Sequence, residues 1–183
     1  MISAISAISA IDSCYFESMS AIAFIPIDLA HYADCCVQFR RDAMAISFTD
    51  GVQRFDSSSG DQHQQYLDWL QGLIEAFPAG CVHVVEDNRI IGQIEMHLRG
   101  QQTLAYVNML YLVPDARGRG LGDQLHDYVM QVFRQVGVVK AQLSVSPTNQ
   151  RALSFYQKHG WQDLGPRPDD PDVHLMELTI AHE

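Results

Sequence analysis

Basic residues are scarce in this chain: 12 Lys and Arg stand against 22 Asp and Glu, for a formal net charge of −10. That balance excludes a nucleic-acid partner held through a general basic surface, so any anion site has to be local. No apolar run approaches the roughly 18 residues of a membrane span, and no membrane partner is expected. There are four cysteines, Cys14, Cys35, Cys36 and Cys81, and none forms a CxxC pair. Their spacing suits neither a zinc site nor a disulfide framework. Free thiols in a reducing, cytoplasmic compartment are expected. The eight histidines include no HxxxH or HExxH pattern, so no metal is expected.

What is present fills one domain: 183 residues can bury a core of their own. The first stretch, "MISAISAISAID", repeats Ile-Ser-Ala and lacks the basic start of a secretory signal. Apolar residues every third position drift around a helix instead of forming a stripe. Met19 opens a more ordinary beginning. Residues 1–18 are therefore expected to be a dispensable N-terminal extension, and residues 19–183 a single domain.

"AIAFIPI" reads as a first strand, with Pro26 placing it at an edge or marking its end. Asp28 suits the N-cap of a helix running to about Ala45. "SFTDGVQRFDSSSGDQ" reads as a loop. A second helix opens at Asp61 and carries Tyr66, Leu70, Leu73 and Phe77 at helical spacing until Pro78 and Gly80 end it. Two strands flank Asp87-Asn88, a hairpin signal. The almost wholly apolar "TLAYVNMLYLVP" suits a central strand. Leu121, Leu125, Val129, Val132 and Val136 then recur at helix period up to Gly137. "VVKAQLSVS" predicts a strand, and "TNQRALSFYQKHG" a short helix. "WQDLG" and "VHLMELTI" predict two last strands, separated by a loop from Gly165 to Pro171. This order predicts an α/β protein of α+β type, with seven strands in a mixed sheet and four helices.

Between the apolar strand and the third helix stands "PDARGRGLGDQ". The first N–H groups of a helix lack intrahelical partners and, with the helix dipole, favour an anion. Gly118, Gly120 and Gly122 allow close approach, and Arg117 and Arg119 add charged donors. The ligand is not a P-loop nucleotide, because Gly122 is followed by Asp123 and Gln124 where Lys-Ser/Thr is needed. The spacing G-x-G-x-G also departs from the dinucleotide fingerprint.

Two motifs carry a resemblance. Leu110-Tyr111-Leu112-Val113-Pro114 leads into Arg117-Gly118-Arg119-Gly120-Leu121-Gly122, and Asn149, Ala152, Tyr156, Gly160 and Trp161 follow downstream. In both motifs, and in the order of elements from about Ala21 to Ile180, the chain resembles the GCN5-related N-acetyltransferases. The resemblance implies their fold, a mostly antiparallel sheet splayed between the fourth and fifth strands. It implies acetyl-CoA as co-substrate, with the pyrophosphate on the backbone of Arg117, Gly118, Arg119, Gly120, Leu121 and Gly122. It implies a pantetheine arm beside Leu110, Tyr111 and Leu112, contacts from Asn149, a close approach at Ala152, and Tyr156 as the general acid.

An acceptor ammonium must lose a proton before it attacks. Period-2 alternation puts Gln93, Glu95 and His97 on one face, and Tyr106, Asn108 and Leu110 on another. Glu95 is the leading base candidate, with His97 and a water chain as alternatives. Asn108 could orient water or substrate. No cysteine or serine stands out as a nucleophile, so direct attack in a ternary complex is the economical route. Two loops rich in acid, through Asp50, Asp56, Asp61, Asp169, Asp170 and Asp172, would attract a cationic small-molecule or peptide amine. A coenzyme-A-binding sensor without turnover is the alternative, and the chain could work as a monomer or a homodimer.

Overall fold

The computed structural model describes residues 22–56, 62–100 and 103–181. The expectations for residues 1–18 and for Asp61 lie outside them. Seven strands form one sheet in the order β1-β2-β3-β4-β5-β7-β6. They are β1 (Ala23–Pro26), β2 (Cys81–Glu86), β3 (Arg89–Arg99), β4 (Leu104–Leu112), β5 (Lys140–Val145), β6 (Gln162–Arg167) and β7 (Asp170–Thr179). All neighbours run antiparallel except β4 and β5. The helices are α1 (Leu29–Ser47), α2 (Gly51–Asp56), α3 (Gln62–Ala76), α4 (Leu121–Gln135) and α5 (Gln150–Lys158).

Local sequence explains most of these boundaries. Pro26 sits on an edge strand, where a missing N–H breaks no ladder. Asp28 caps α1 by accepting from the Ala30 N–H at 3.0 Å. Asp87 (φ 49°) and Asn88 (φ 63°) make the tight β2–β3 turn, which both residue types tolerate.

Three expectations need correction. The stretch read as one loop before α3 contains the short helix α2. Buried Phe55 anchors it against Tyr66, and Arg54 bridges back to Asp50 at 2.8 Å. The helices therefore number five among the described residues. The loop predicted from Gly165 to Pro171 is a tight β6–β7 turn, with Arg167 paired to Asp170 across it. Pro166 fits because β6 is an edge strand and the register breaks around that residue. Third, the expected shared face of Tyr106, Asn108 and Leu110 is interrupted. Asn108 is an extra residue in β4: Met96 faces Val107 while Glu95 faces Met109. Such a bulge flips the side chains that follow it.

Two apolar layers hold the sheet. On one face Ile94, Met96, Val107 and Leu143 pack with Leu125, Val129 and Phe133 of α4. Each fully buried side chain of that size contributes about 1.5–3 kcal/mol. On the other face, Cys36 of α1 and Tyr66 and Leu70 of α3 pack over Cys81 of β2. Past the bulge, Met109 and Tyr111 join Phe39 of α1, whereas Leu110 and Leu112 lie against the α4 layer. No described helix is long and apolar enough to cross a membrane.

Candidate active site

The sheet parts at its centre. Parallel pairing of β4 with β5 runs from Leu104 and Lys140 to Val107 and Leu143, and ends there. The bulge at Asn108 follows immediately. A cavity of about 330 Å³ lies beside the parted end of β4. Its walls are Leu110, Tyr111 and Leu112 of β4, Arg117 and Gly118 of the turn, Gly122 and Leu125 of α4, Asn149, Ala152, Phe155 and Tyr156 at α5, and Ala43, Ile46 and Ser47 of α1. The α1 wall, Arg151 and Phe155 were not expected from sequence. They become neighbours only through the tertiary packing of distant segments.

Gly118 (φ 76°) and Gly120 (φ 79°) take left-handed angles that glycine adopts at no steric cost. Gly120 is the N-cap of α4 and offers no side-chain cap, so the leading N–H groups keep their capacity for an outside acceptor. A Cβ built on Gly118 or Gly120 would meet nothing within 4 Å: the space before the turn is open. A Cβ on Gly122 would stand 3.2 Å from the Phe155 ring, so a glycine there lets α5 approach α4.

The two arginines of the turn are engaged elsewhere. The Arg117 Nε–H donates to the Leu112 carbonyl at 2.7 Å, and its guanidinium lies 5.4 Å from the Tyr111 ring centre. Arg119 forks onto Glu86 at 2.6 and 2.9 Å. What the turn presents is main chain and helix dipole more than side-chain charge.

Across the cavity, Asn149 caps α5 by accepting from the Ala152 N–H at 3.1 Å, which fixes both residues at the wall. Tyr156 is half-buried and also lines the cavity. Burial raises its pKa, so it remains a phenol at neutral pH.

Glu95, the leading base candidate, lies inside the protein. Its side chain is 0% exposed. Oε1 accepts from the Tyr66 hydroxyl at 2.6 Å and from Gln93 Nε2 at 2.8 Å. Oε2 has no hydrogen bond and lies 3.5 Å from Arg40 Nη1. Arg40 in turn donates to the carbonyl of Asn108 at 3.4 Å and lies against the faces of Tyr66 and Trp69. The carboxylate is thus enclosed by Tyr66, Gln93 and Arg40. The network continues inward: Gln93 Oε1 accepts from His83 Nε2 at 3.2 Å, and Cys36 Sγ lies 3.4 Å from the same nitrogen. Burial pushes the Cys36 thiol up to about 12 and keeps it un-ionised.

His97 and Asn108 do meet, at 2.9 Å between Nδ1 and the amide. Arg99 Nε–H donates to His97 Nε2 at 2.8 Å. With Arg99 donating to Nε2, the ring cannot be doubly protonated and is neutral. Burial, helped by Arg99, lowers its pKa.

The acidic loops are largely neutralised from within. Arg54 spans Asp50 and Asp172, at 2.8 and 3.0 Å. Asp56 pairs with Arg41 at 2.8 Å, and Asp169 with Arg167 at 2.8 Å. Asp170 lies 3.7 Å from Arg167.

Fold and site together define an open α/β protein with a cavity beside the parted end of β4 and a glycine turn in its wall. The sequence profile of the Acetyltransferase (GNAT) family matches residues 45–161, and the chain belongs to that family. An uncharacterised N-acetyltransferase of Mycobacterium bovis is 35% identical over 81 residues, 44% of this chain and 51% of that protein. The chain thus spans about half the length of this curated relative. N-alpha-acetyltransferase 30 of Schizosaccharomyces pombe is 26% identical over 116 residues, 61% of this chain and 75% of its own. Among solved structures, the PaiA N-acetyltransferase of Thermoplasma acidophilum, in complex with coenzyme A, superposes with a TM-score of 0.67. It is 16% identical over 87% of this chain and 99% of that one, a likeness of fold.

Proposed function

We propose that the protein transfers the acetyl group of acetyl-CoA to a primary amine by direct attack in a ternary complex. The observation that carries this reading is the parting of β4 from β5 with a glycine turn at the mouth of the slot. The pyrophosphate would rest on the main chain of Arg117 to Gly122, where the open space and uncapped helix start fit an anion. The pantetheine arm would run beside Leu110 to Leu112 and bond to their main chain as an added strand does.

In this scheme a main-chain N–H past the bulge, at or near Leu110, polarises the acetyl carbonyl. The amine nitrogen attacks the carbonyl carbon, and the carbon–sulfur bond then breaks. Tyr156 gives its proton to the departing thiolate and is reprotonated from solvent. The proton shed by the ammonium leaves through water. Glu95 keeps a positioning part: it holds Arg40, which grips the Asn108 carbonyl and with it the bulge.

The test is release of free thiol from acetyl-CoA across a panel of amines, with calorimetry of coenzyme A binding alongside. Amine-dependent thiol release supports the reading. Tight coenzyme A binding with no turnover on any amine would replace the transferase by a sensor.

A further inference from the structure

On the sheet face away from α4, a second group of polar side chains borders the parting, and no step above uses it. Alternation places Tyr106 and Ser144 on that face, since Ala105, Val107, Leu143 and Val145 fill the α4 core. The Tyr106 hydroxyl donates to Ser144 Oγ at 2.6 Å, across the last paired stretch of β4 and β5. Arg167 Nη1, reaching in from the β6–β7 turn, donates to Ser144 Oγ at 3.1 Å. Arg99 covers the group from the solvent side, its guanidinium 4.0 Å from the Tyr106 ring centre.

The charges on this face are unequal in their partners. Arg167 is matched by Asp169 and Asp170, and Lys140 by Glu177 at 2.7 Å. Arg54 and Arg41 are matched by the acidic loops. Arg99 has no carboxylate among the described residues. Its Nε–H is spent on His97 and its guanidinium carbon lies 4.0 Å from the Tyr106 ring centre, and among the described residues its outer N–H fork has no acceptor. A fork of this kind matches a carboxylate in two-point fashion. It stands one imidazole ring from Asn108, the bulge residue at the head of the parting.

We propose that the acceptor is an amine bearing a carboxylate, and that Arg99 determines this specificity by pairing with that carboxylate while the amine reaches the parting at Asn108. The proposal rests on the transferase reading above. It reverses the attraction that the acidic loops suggest, because those acids already have their cations. His97 serves as the spacer: as a neutral ring it accepts from Arg99 and holds the guanidinium in place without adding charge.

The experiment measures thiol release from acetyl-CoA for a series of α-, β- and γ-amino acids. Each is assayed beside its primary amide and the amine lacking the carboxylate, with the full chain and with Arg99→Gln and Arg99→Lys. The wild type should prefer the carboxylate-bearing member by about 10–100-fold in kcat/KM, the worth of one charge-assisted pair. Arg99→Gln should lose that preference through KM while the plain amine keeps its rate, and Arg99→Lys should regain part of it. Turnover without preference, preference for the plain amine, or a preference that survives Arg99→Gln would overturn the proposal and leave the transferase reading intact. No turnover with any amine, together with tight coenzyme A binding, would overturn both.

Discussion

The Tyr66 hydroxyl donates to Glu95 Oε1 at 2.6 Å, joining α3 to β3 where both residues are buried: Tyr66 is 7% and Glu95 0% exposed. Burial and the neighbouring carboxylate raise the tyrosine pKa, so the group is a permanent donor. Tyr66→Phe should leave the buried carboxylate short of a partner and destabilise the fold by about 1–3 kcal/mol, read by denaturant unfolding.

The same geometry separates two roles for Glu95. A base in contact with the acceptor would lose about 10²–10⁴-fold in rate when neutralised. A residue that only holds Arg40 against the bulge should lose far less. Glu95→Gln keeps the shape and can still accept from Tyr66. Its kcat is expected to fall by less than about tenfold, and the pH profile of kcat/KM should keep its limbs. A loss of a thousandfold with a vanished basic limb would return Glu95 to the chemistry.

Gly120 offers a test of the anion seat. Its left-handed φ of 79° and the empty space before it mean that a side chain there meets ligand before it meets protein. Gly120→Asp would set a negative charge where the helix start favours the pyrophosphate. Coenzyme A affinity should fall at least tenfold by calorimetry. The left-handed angle itself should cost about 1 kcal/mol, which Gly120→Ala measures separately. Equal affinities for wild type and Gly120→Asp would move the pyrophosphate elsewhere.

His126 should make stability depend on pH. It is 5% exposed, accepts from Trp161 Nε1 at 3.1 Å and stacks on His159 at 4.0 Å. Burial first, then the charge of His159, push its pKa down to about 4, against 6.5 for an ordinary histidine. Above pH 6.5 the ring is neutral in both folded and unfolded chains, and it contributes no pH dependence. Between 6.5 and 4 the unfolded chain takes a proton that the folded chain refuses, so stability falls as pH falls. The loss is on the order of 2 kcal/mol once solvent screening is allowed for. His126→Gln retains an acceptor for Trp161, and its acid limb in melting temperature against pH should be shallower than that of the wild type.

The features legible in the sequence were those written in neighbouring residues. The glycine turn, the Asn149-to-Trp161 segment, the Asp28 cap and the Asp87-Asn88 hairpin each depend on short-range geometry. The short helix α2 escaped because its polar sequence has one buried anchor, Phe55, too few for a periodic signal. The bulge at Asn108 has no pattern of its own: one inserted residue turns Met109 and Tyr111 to the α1 side, and strict alternation then misplaces Leu110. The enclosure of Glu95 was not legible because strand alternation cannot show that Tyr66 and Arg40, from two separate helices, close over it. The acidic loops looked available for the same reason: Arg54 and Asp172 lie 118 positions apart and meet only in the fold.

Tyr156 carries the most direct prediction about the chemistry. It stands on α5, in the same short helix whose start is fixed by Asn149, and its ring borders the cavity. A free thiol has a pKa near 8.5, so a departing thiolate takes a proton from a nearby phenol only once the carbon–sulfur bond is breaking. A phenol whose pKa burial has raised keeps its proton until that moment. Tyr156→Phe removes the proton and leaves the ring, which packs 5.4 Å from Phe155 and 5.7 Å from Trp161. Melting temperature and coenzyme A affinity should therefore change little, while kcat falls by about 10²–10⁴-fold. The deficit should shrink for an acetyl thioester whose thiol has a lower pKa, because that leaving group needs less help from an acid. Wild-type turnover in Tyr156→Phe, or an equal deficit with every leaving group, would take Tyr156 out of the proton transfer and leave it as a wall of the slot.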